Sequence, residues 1–272
     1  MADARETDPR SLAELRALVA RGAPYSRRLI HELKHDTRAG AQALYAVCKK
    51  ARRRIVVEKR RLENMLLYEK QAQANGFRVV AGVDEAGRGP YAGPIVAAAV
   101  VLAAPVERVN DSKQLTPEER EALYEEIRAG GHQIGVAAVE VEVINQQGIQ
   151  TANYMAMANA VAQLFPAPDF LLVDGFRIPG VLQPQQHVIK GDCLSQSIAA
   201  ASIIAKVTRD RMMIELDKQY PGYGFAQHKG YGTPEHYQRI TELGPCAIHR
   251  QRWGPILRAI EDDLLFEWSE EV

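Results

Sequence analysis

An apolar run that ends in two adjacent acids constrains this chain more than any other feature. Val79-Val80-Ala81-Gly82-Val83 leads straight into Asp84-Glu85, and the longest apolar run, Ile95–Ala104, follows until Pro105 stops it. Phe77–Val83 and Ile95–Leu102 are predicted as strands, the second one buried, and they form an early hairpin. Ten apolar residues fall well short of the ~20 that a membrane-spanning helix needs. Further elements alternate. Pro117–Ala129 is predicted as a helix entered through Thr116, Gln133–Val141 as a strand, and Ile144 to Leu164 as a helix. Phe170–Val173 is a strand ending at Asp174, and Gln186–Ile189 is another. Ser195–Leu216 is a long helix whose Ala-Ala-Ala-Ser stretch allows close packing. Glu235–Leu243 and Pro255–Phe266 close the chain as helices. Strands and helices mixed in this way give an α/β domain.

The first 70 residues differ in character. Ser11-Leu-Ala-Glu14 is a capping box, and Leu12, Leu15, Leu18 and Val19 then share one helical face. Gly22-Ala-Pro24 breaks the pattern, a short helix carries Leu29, Ile30 and Leu33, and a long one runs from Ala41 to Tyr68. Polar Gln71–Gly76 reads as a linker. The chain's 34 basic and 34 acidic residues cancel, but residues 1–70 hold 17 basic against 9 acidic, a balance of +8. Lys49-Lys50-Ala51-Arg52-Arg53-Arg54 is the densest stretch. A solvated helix face explains it as it stands; a polyanion contact is the alternative. Cys48, Cys193 and Cys246 lie far apart with no Cys-x-x-Cys spacing, so neither a disulfide framework nor a cysteine zinc site is expected. With no signal-peptide core at the N-terminus, the expectation is a soluble, cytoplasmic protein.

The acids carry the chemistry. Asp84-Glu85, Asp174 and Asp192 each stand where an apolar element ends, so neighbouring strands would bring them to one sheet edge. Clustered carboxylates repel, and burial disfavours their charged forms. A divalent cation relieves both costs, and magnesium suits an all-oxygen site that also meets phosphate. Two ions about 4 Å apart could activate water and stabilise the leaving oxygen of a phosphodiester. A single acid after a strand is more often a turn former or helix cap, and for Asp192 that alternative stands. Asp169 and Asp217 read as surface or capping acids. Neither a Walker-type phosphate loop nor a His-Glu-x-x-His zinc helix is present.

The surrounding motifs are more specific. Val83-Asp84-Glu85-Ala86-Gly87-Arg88-Gly89-Pro90 continues to Ala92-Gly93-Pro94. Asn110-Asp111-Ser112-Lys113, Val173-Asp174-Gly175 and Lys190-Gly191-Asp192 follow. Then come Ser195-Gln196-Ser197-Ile198-Ala199-Ala200-Ala201-Ser202-Ile203, Ala205-Lys206-Val207-Thr208-Arg209-Asp210, His228-Lys229-Gly230-Tyr231-Gly232-Thr233 with His236, Gly244-Pro245 and His249-Arg250. This set, in this order, resembles bacterial ribonuclease HII from about Phe77 to Arg250. The N-terminal part resembles the helical extension found in some of its members.

The resemblance implies a ribonuclease H-like mixed sheet flanked by helices, with a small all-helical N-terminal domain. Three parts are expected: a basic extension over 1–70, a catalytic domain over 77–220, and a helical segment over 221–272 packed on it. It implies hydrolysis of RNA–DNA hybrids, and of DNA duplex containing single ribonucleotides, by a metal-activated water that leaves 5′-phosphate and 3′-hydroxyl ends. By position, Asp84, Glu85, Asp174 and Asp192 match the metal-binding carboxylates, with Mg2+ or Mn2+ as cofactor. Gly87-Arg88-Gly89 matches the segment that senses the ribose 2′-hydroxyl, the group that distinguishes RNA from DNA. Tyr231 matches the tyrosine that stacks on the deoxy side of the junction. Lys113, His228, Lys229 and Arg250 are candidates for phosphate contacts. The expected state is a monomer. One departure is the sequence after His249-Arg250, where Gln251 and Arg252-Trp253 stand in place of the usual Ser-Phe. The rivals are a ribonuclease HIII-like enzyme restricted to longer RNA tracts, a nucleic-acid binding module without catalysis, and a fold-related DNA nuclease or transposase.

Overall fold

The computed structural model describes residues 10–254 and 256–258. The chain divides into two units, residues 1–64 and 65–272. Among the described residues the first holds three helices: α1 (Leu12–Ala20), α2 (Arg27–His35) and α3 (Ala39–Asn64). Ser11 caps α1 through the expected capping box. Leu15, Val19, Leu29, Leu33, Ala41 and Cys48 form this unit's own apolar core.

The second unit begins earlier than the polarity of 71–76 suggested. α3 ends at Asn64, and α4 (Leu67–Ala74) follows after a break, so Gln71–Ala74 are helical rather than linker. After α4 the elements are β1 (Val80–Ala86), β2 (Ile95–Val101), α5 (Pro117–Ala129), β3 (Gln133–Val139), α6 (Val141–Gln147), α7 (Ile149–Ala162), β4 (Phe170–Asp174) and β5 (Gln185–Val188). A 3-10 turn (Gly191–Cys193) then precedes α8 (Gln196–Gln219), α9 (Phe225–His228) and α10 (Pro234–Leu243). The single helix expected from Ile144 to Leu164 is two, divided at Gly148. Most of the closing helix expected over Pro255–Phe266 lies outside the described residues. None of the described helices is long and apolar enough to cross a membrane.

The five strands form one mixed sheet in the order β3-β2-β1-β4-β5. β1 and β2 are the expected antiparallel hairpin, β3 pairs antiparallel with β2, and β4 and β5 extend the sheet parallel to β1. One face packs against α7 and the other against α8. Side chains along β1 alternate between these faces. Ala81 and Val83 join the α7-side core, and Val80 joins Leu172 and Ile198 on the α8 side. Gly82 marks the closest approach: a Cβ there would lie 2.1 Å from the carbonyl carbon of Ser197. Only glycine lets the N-terminal half of α8 sit this close to β1, and the small residues Ala199, Ala200, Ala201 and Ser202 complete the fit as the sequence suggested.

Candidate active site

Register brings the acids together. Val83 pairs with Val173 across parallel β1 and β4, so Asp84 and Asp174 stand at the same level one residue on. Both acids lie inside their strands, at the carboxyl ends, rather than beyond them. In open α/β sheets this edge is where ligands bind. Asp174 also pairs with Val188 of β5, whose continuation carries Asp192 in the 3-10 turn. Asp192 does not cap α8; Ser195 does, accepting from the Ile198 amide at 3.2 Å.

Alternation sends the adjacent acids of β1 to opposite faces. Asp84 turns to α8, where Ser202 stands beside it, and Ser202 Oγ lies 2.8 Å from Ser112 Oγ. Glu85 turns toward Asn153 of α7 and lies 3.4 Å from the Arg88 guanidinium. Asp174 Oδ1 accepts a 2.7 Å bond from the Gly191 amide. Asp192 Oδ2 lies 3.8 Å from Lys113 Nζ.

The electrostatics bind the four into one set. Burial, then the charges of Glu85 and Asp174, push the Asp84 carboxyl well above the usual carboxylate range. Burial also raises Glu85; Arg88 opposes this and Asp174 reinforces it. Burial raises Asp192, with Asp111 and Asp174 adding to the shift and Lys113 opposing it. Burial alone would lower Lys113, but Asp192, Asp111, Asp84 and Asp174 together raise it. A low-dielectric edge where Asp84, Glu85 and Asp192 are each raised by burial and by neighbouring carboxylates, with Asp174 among them, is a donor set suited to a hard divalent cation with oxygen ligands.

Two residues absent from the predicted set also belong here. Among the described residues, Asp111, Asp192 and Cys193 hold their ligand atoms within 4.8 Å of one another. Cys193 follows Asp192 directly, and that adjacency is its signal; for Asp111 the sequence offers only the motif Asn110-Asp111-Ser112-Lys113.

The cleft beside the acids is lined by Glu85, Gly87, Arg88, Gly89, Lys113 and Tyr231, among others. Its rim is fixed from below. Arg250, expected to meet phosphate, is fully buried and donates instead to the carbonyls of Gly87, Arg88, Pro90, Gly93 and Pro94. Burial first, then the neighbouring charge of Arg209, lowers Arg250 to about 9, so it remains cationic at neutral pH. Arg209 of α8, also fully buried, donates to Ala92, Pro94 and Lys229 carbonyls. Gly87 adopts φ +97°, and a Cβ there would meet Arg209 Nε at 2.1 Å. The carbonyls of Gly87 and Arg88 thus face inward, while the amides of Gly87, Arg88 and Gly89 have no protein acceptor among the described residues.

The other predicted contacts divide. Tyr231 is 42% exposed, with Lys206 Nζ 5.5 Å from its ring centroid. Lys113 is exposed beside Asp192. His228 engages both ring nitrogens with backbone, Nε2 at Tyr223 O and Nδ1 accepting from Gly230, so it shapes the loop rather than reaching outward. Lys229 bonds the Ala226 carbonyl from a left-handed position, φ 52°.

Comparison with known proteins agrees with this architecture. The family model described as Ribonuclease HII matches residues 81–255, and that of the Ribonuclease HII N-terminal domain matches residues 11–73. The chain is 48% identical over 231 residues to Ribonuclease HII of Geobacillus kaustophilus, covering 84% of this chain and 88% of that protein. Its structure resembles the crystal structure of ribonuclease H2 from Pyrococcus horikoshii, with TM-score 0.59 and 28% identity over 68% of this chain and 98% of that one. The fold also resembles that of Bst-RNase HIII in complex with Mn2+, with TM-score 0.51 and 22% identity over 70% and 71% of the two chains.

Proposed function

The chain belongs to the ribonuclease HII family, and we propose that it cuts the phosphodiester on the 5′ side of a ribonucleotide. It is a metal-dependent ribonuclease H hydrolase of a family that acts on RNA–DNA hybrids. The proposed substrates include duplex DNA with one embedded ribonucleotide, where the cut is the first step of excising it. One observation carries this reading: four carboxylates share a sheet edge with a cleft whose glycine-flanked rim has amides without an acceptor among the described residues.

Asp84, Glu85, Asp174 and Asp192 would hold Mg2+ or Mn2+. When bound, such ions supply Lewis-acid polarisation of the phosphodiester and lower the pKa of the attacking water. The chain's own residues do the rest. Arg250 and Arg209 hold the rim rigid, so the amides over Gly87–Gly89 are preorganised to meet a 2′-hydroxyl that a deoxyribose lacks. Tyr231 offers a ring face to the neighbouring sugar, and Lys113 a mobile positive charge to phosphate. Products carry 5′-phosphate and 3′-hydroxyl ends.

Residues 1–64 supply a further contact in this reading. Arg52, Arg53 and Arg54 lie exposed on α3 and form no ion pair among the described residues, which supports binding to the duplex phosphates.

The test is to map cuts in three duplexes: one with a single ribonucleotide, a continuous RNA–DNA hybrid, and an all-DNA control. The expected result is a cut 5′ of the single ribonucleotide with the control intact. Cleavage of the continuous hybrid alone would overturn the single-ribonucleotide specificity, and cleavage of the control would overturn 2′-hydroxyl sensing.

A further inference from the structure

We propose that Glu69, on α4 and upstream of the matched catalytic region, is a positioning residue for the metal site. Glu69 is 7% exposed and sits against the N-terminus of α8. Its Oε1 accepts three hydrogen bonds: from Ser195 Oγ at 2.6 Å, from Ser197 Oγ at 2.7 Å and from the Ser197 amide at 3.0 Å. A carboxylate at a helix N-terminus answers both the free amides and the helix dipole. The same stretch of chain adds a backbone clamp, with the Gln196 amide donating to the Met65 carbonyl at 2.8 Å.

The link from this clamp to the metal site is short. The Ser195 amide donates to the Gly191 carbonyl at 2.8 Å, and the Gly191 amide donates to Asp174 Oδ1 at 2.7 Å. Asp192 lies between Gly191 and Ser195, in the 3-10 turn that these bonds hold. Glu69 therefore fixes Ser195, Ser195 fixes Gly191, and Gly191 orients one carboxylate while carrying the next. Partners that orient metal ligands from behind commonly govern affinity as strongly as some ligands do. Glu69 is also only half satisfied: its Oε2 is buried with no hydrogen-bond partner among the described residues, and the residue borders a cavity with Lys70, Gln73 and Arg78. A half-satisfied buried carboxylate is costly to retain for packing alone. Bonding through one oxygen to the segment that carries Asp192 gives it a role.

The inference rests on the metal-site reading, and one experiment separates the two. Mn2+ affinity is measured by calorimetry on the full-length protein for wild type, Glu69→Gln, Ser197→Ala and Asp174→Asn, with thermal melting of each in the absence of metal. Steady-state kcat and KM are then measured at saturating Mn2+. Glu69→Gln is expected to weaken Mn2+ binding roughly 10- to 100-fold, to lower kcat and to leave KM for substrate near wild type. Ser197→Ala is expected to shift Mn2+ affinity in the same direction by less. Folded Glu69→Gln with native Mn2+ affinity, whatever its melting temperature, would overturn the proposal. Should Glu69→Gln not fold, native Mn2+ affinity in Ser197→Ala would overturn it equally. Unchanged Mn2+ binding in Asp174→Asn would instead sink the metal site itself.

Discussion

Asp84 and Asp174 stand side by side at the ends of adjacent parallel strands, and the charge of Asp174 helps hold the Asp84 carboxyl above its usual range. A carboxyl whose pKa is raised in the folded state binds its proton more tightly there than in the unfolded chain. Its contribution to stability is therefore greatest near and below pH 4 and declines as pH rises through the raised pKa. Asp84→Asn removes that penalty. Its melting temperature without metal at pH 7 should equal or exceed that of wild type, while cleavage falls by at least 100-fold. A variant that loses activity only because it melts far below wild type would contradict this.

Of the two guanidiniums under the rim of the cleft, Arg250 holds the more carbonyls. Arg250→Met leaves inward-facing carbonyls without donors, each costing about 1–3 kcal/mol when buried. We expect a loss of at least about 3 kcal/mol in urea unfolding, together with weaker discrimination between ribose and deoxyribose. Full stability with unchanged selectivity would remove Arg250 from its structural role.

Two buried histidines make stability sensitive to mild acid. His236 Nε2 lies 3.1 Å from His249 Nε2, and burial lowers each pKa to about 4. His228, stacked 4.2 Å from His236, adds to the lowering of both. Their stabilising contribution is complete above the unfolded value of about 6.5 and is lost as pH falls from there toward 4. Chemical unfolding at pH 7.5, 6 and 5 should show a loss that reaches about 2 kcal/mol per histidine at pH 5. Replacing both with glutamine should flatten that slope; an unaltered slope would assign the acid sensitivity elsewhere.

Charge reversal on α3 tests the basic helix. If Arg52, Arg53 and Arg54 meet phosphates, replacing all three with Glu should weaken duplex binding and lower the salt-dependence slope by about 2–3. A steeper or unchanged slope would return the run to being a solvated face.

Much of this architecture was legible in local pattern. Pro117–Ala129 has a capping box and an N-terminal proline, and the helix falls on those residues. The β1–β2 hairpin followed from two apolar runs, and the acids from their odd placement at the ends of such runs. What escaped was long-range. Arg250 looks like a phosphate ligand in the sequence because nothing local shows that five carbonyls surround it. Glu69 reads as one more charge on a basic helix, because its partners lie 126 and 128 residues away. The break near Met65 was also hidden, since Leu66 leads into α4 with no side-chain cap to announce it.

The most direct measurement follows one duplex with a single ribonucleotide through single-turnover cleavage by wild type, Asp174→Asn and Asp192→Asn, each with Mg2+, with Mn2+ or with EDTA. End groups are identified on the products. We predict wild-type cleavage with either ion, none with EDTA, 5′-phosphate and 3′-hydroxyl ends, and no turnover by Asp174→Asn under any condition. Cleavage that persists in EDTA, or wild-type turnover by Asp174→Asn, would contradict a catalytic site built on these carboxylates.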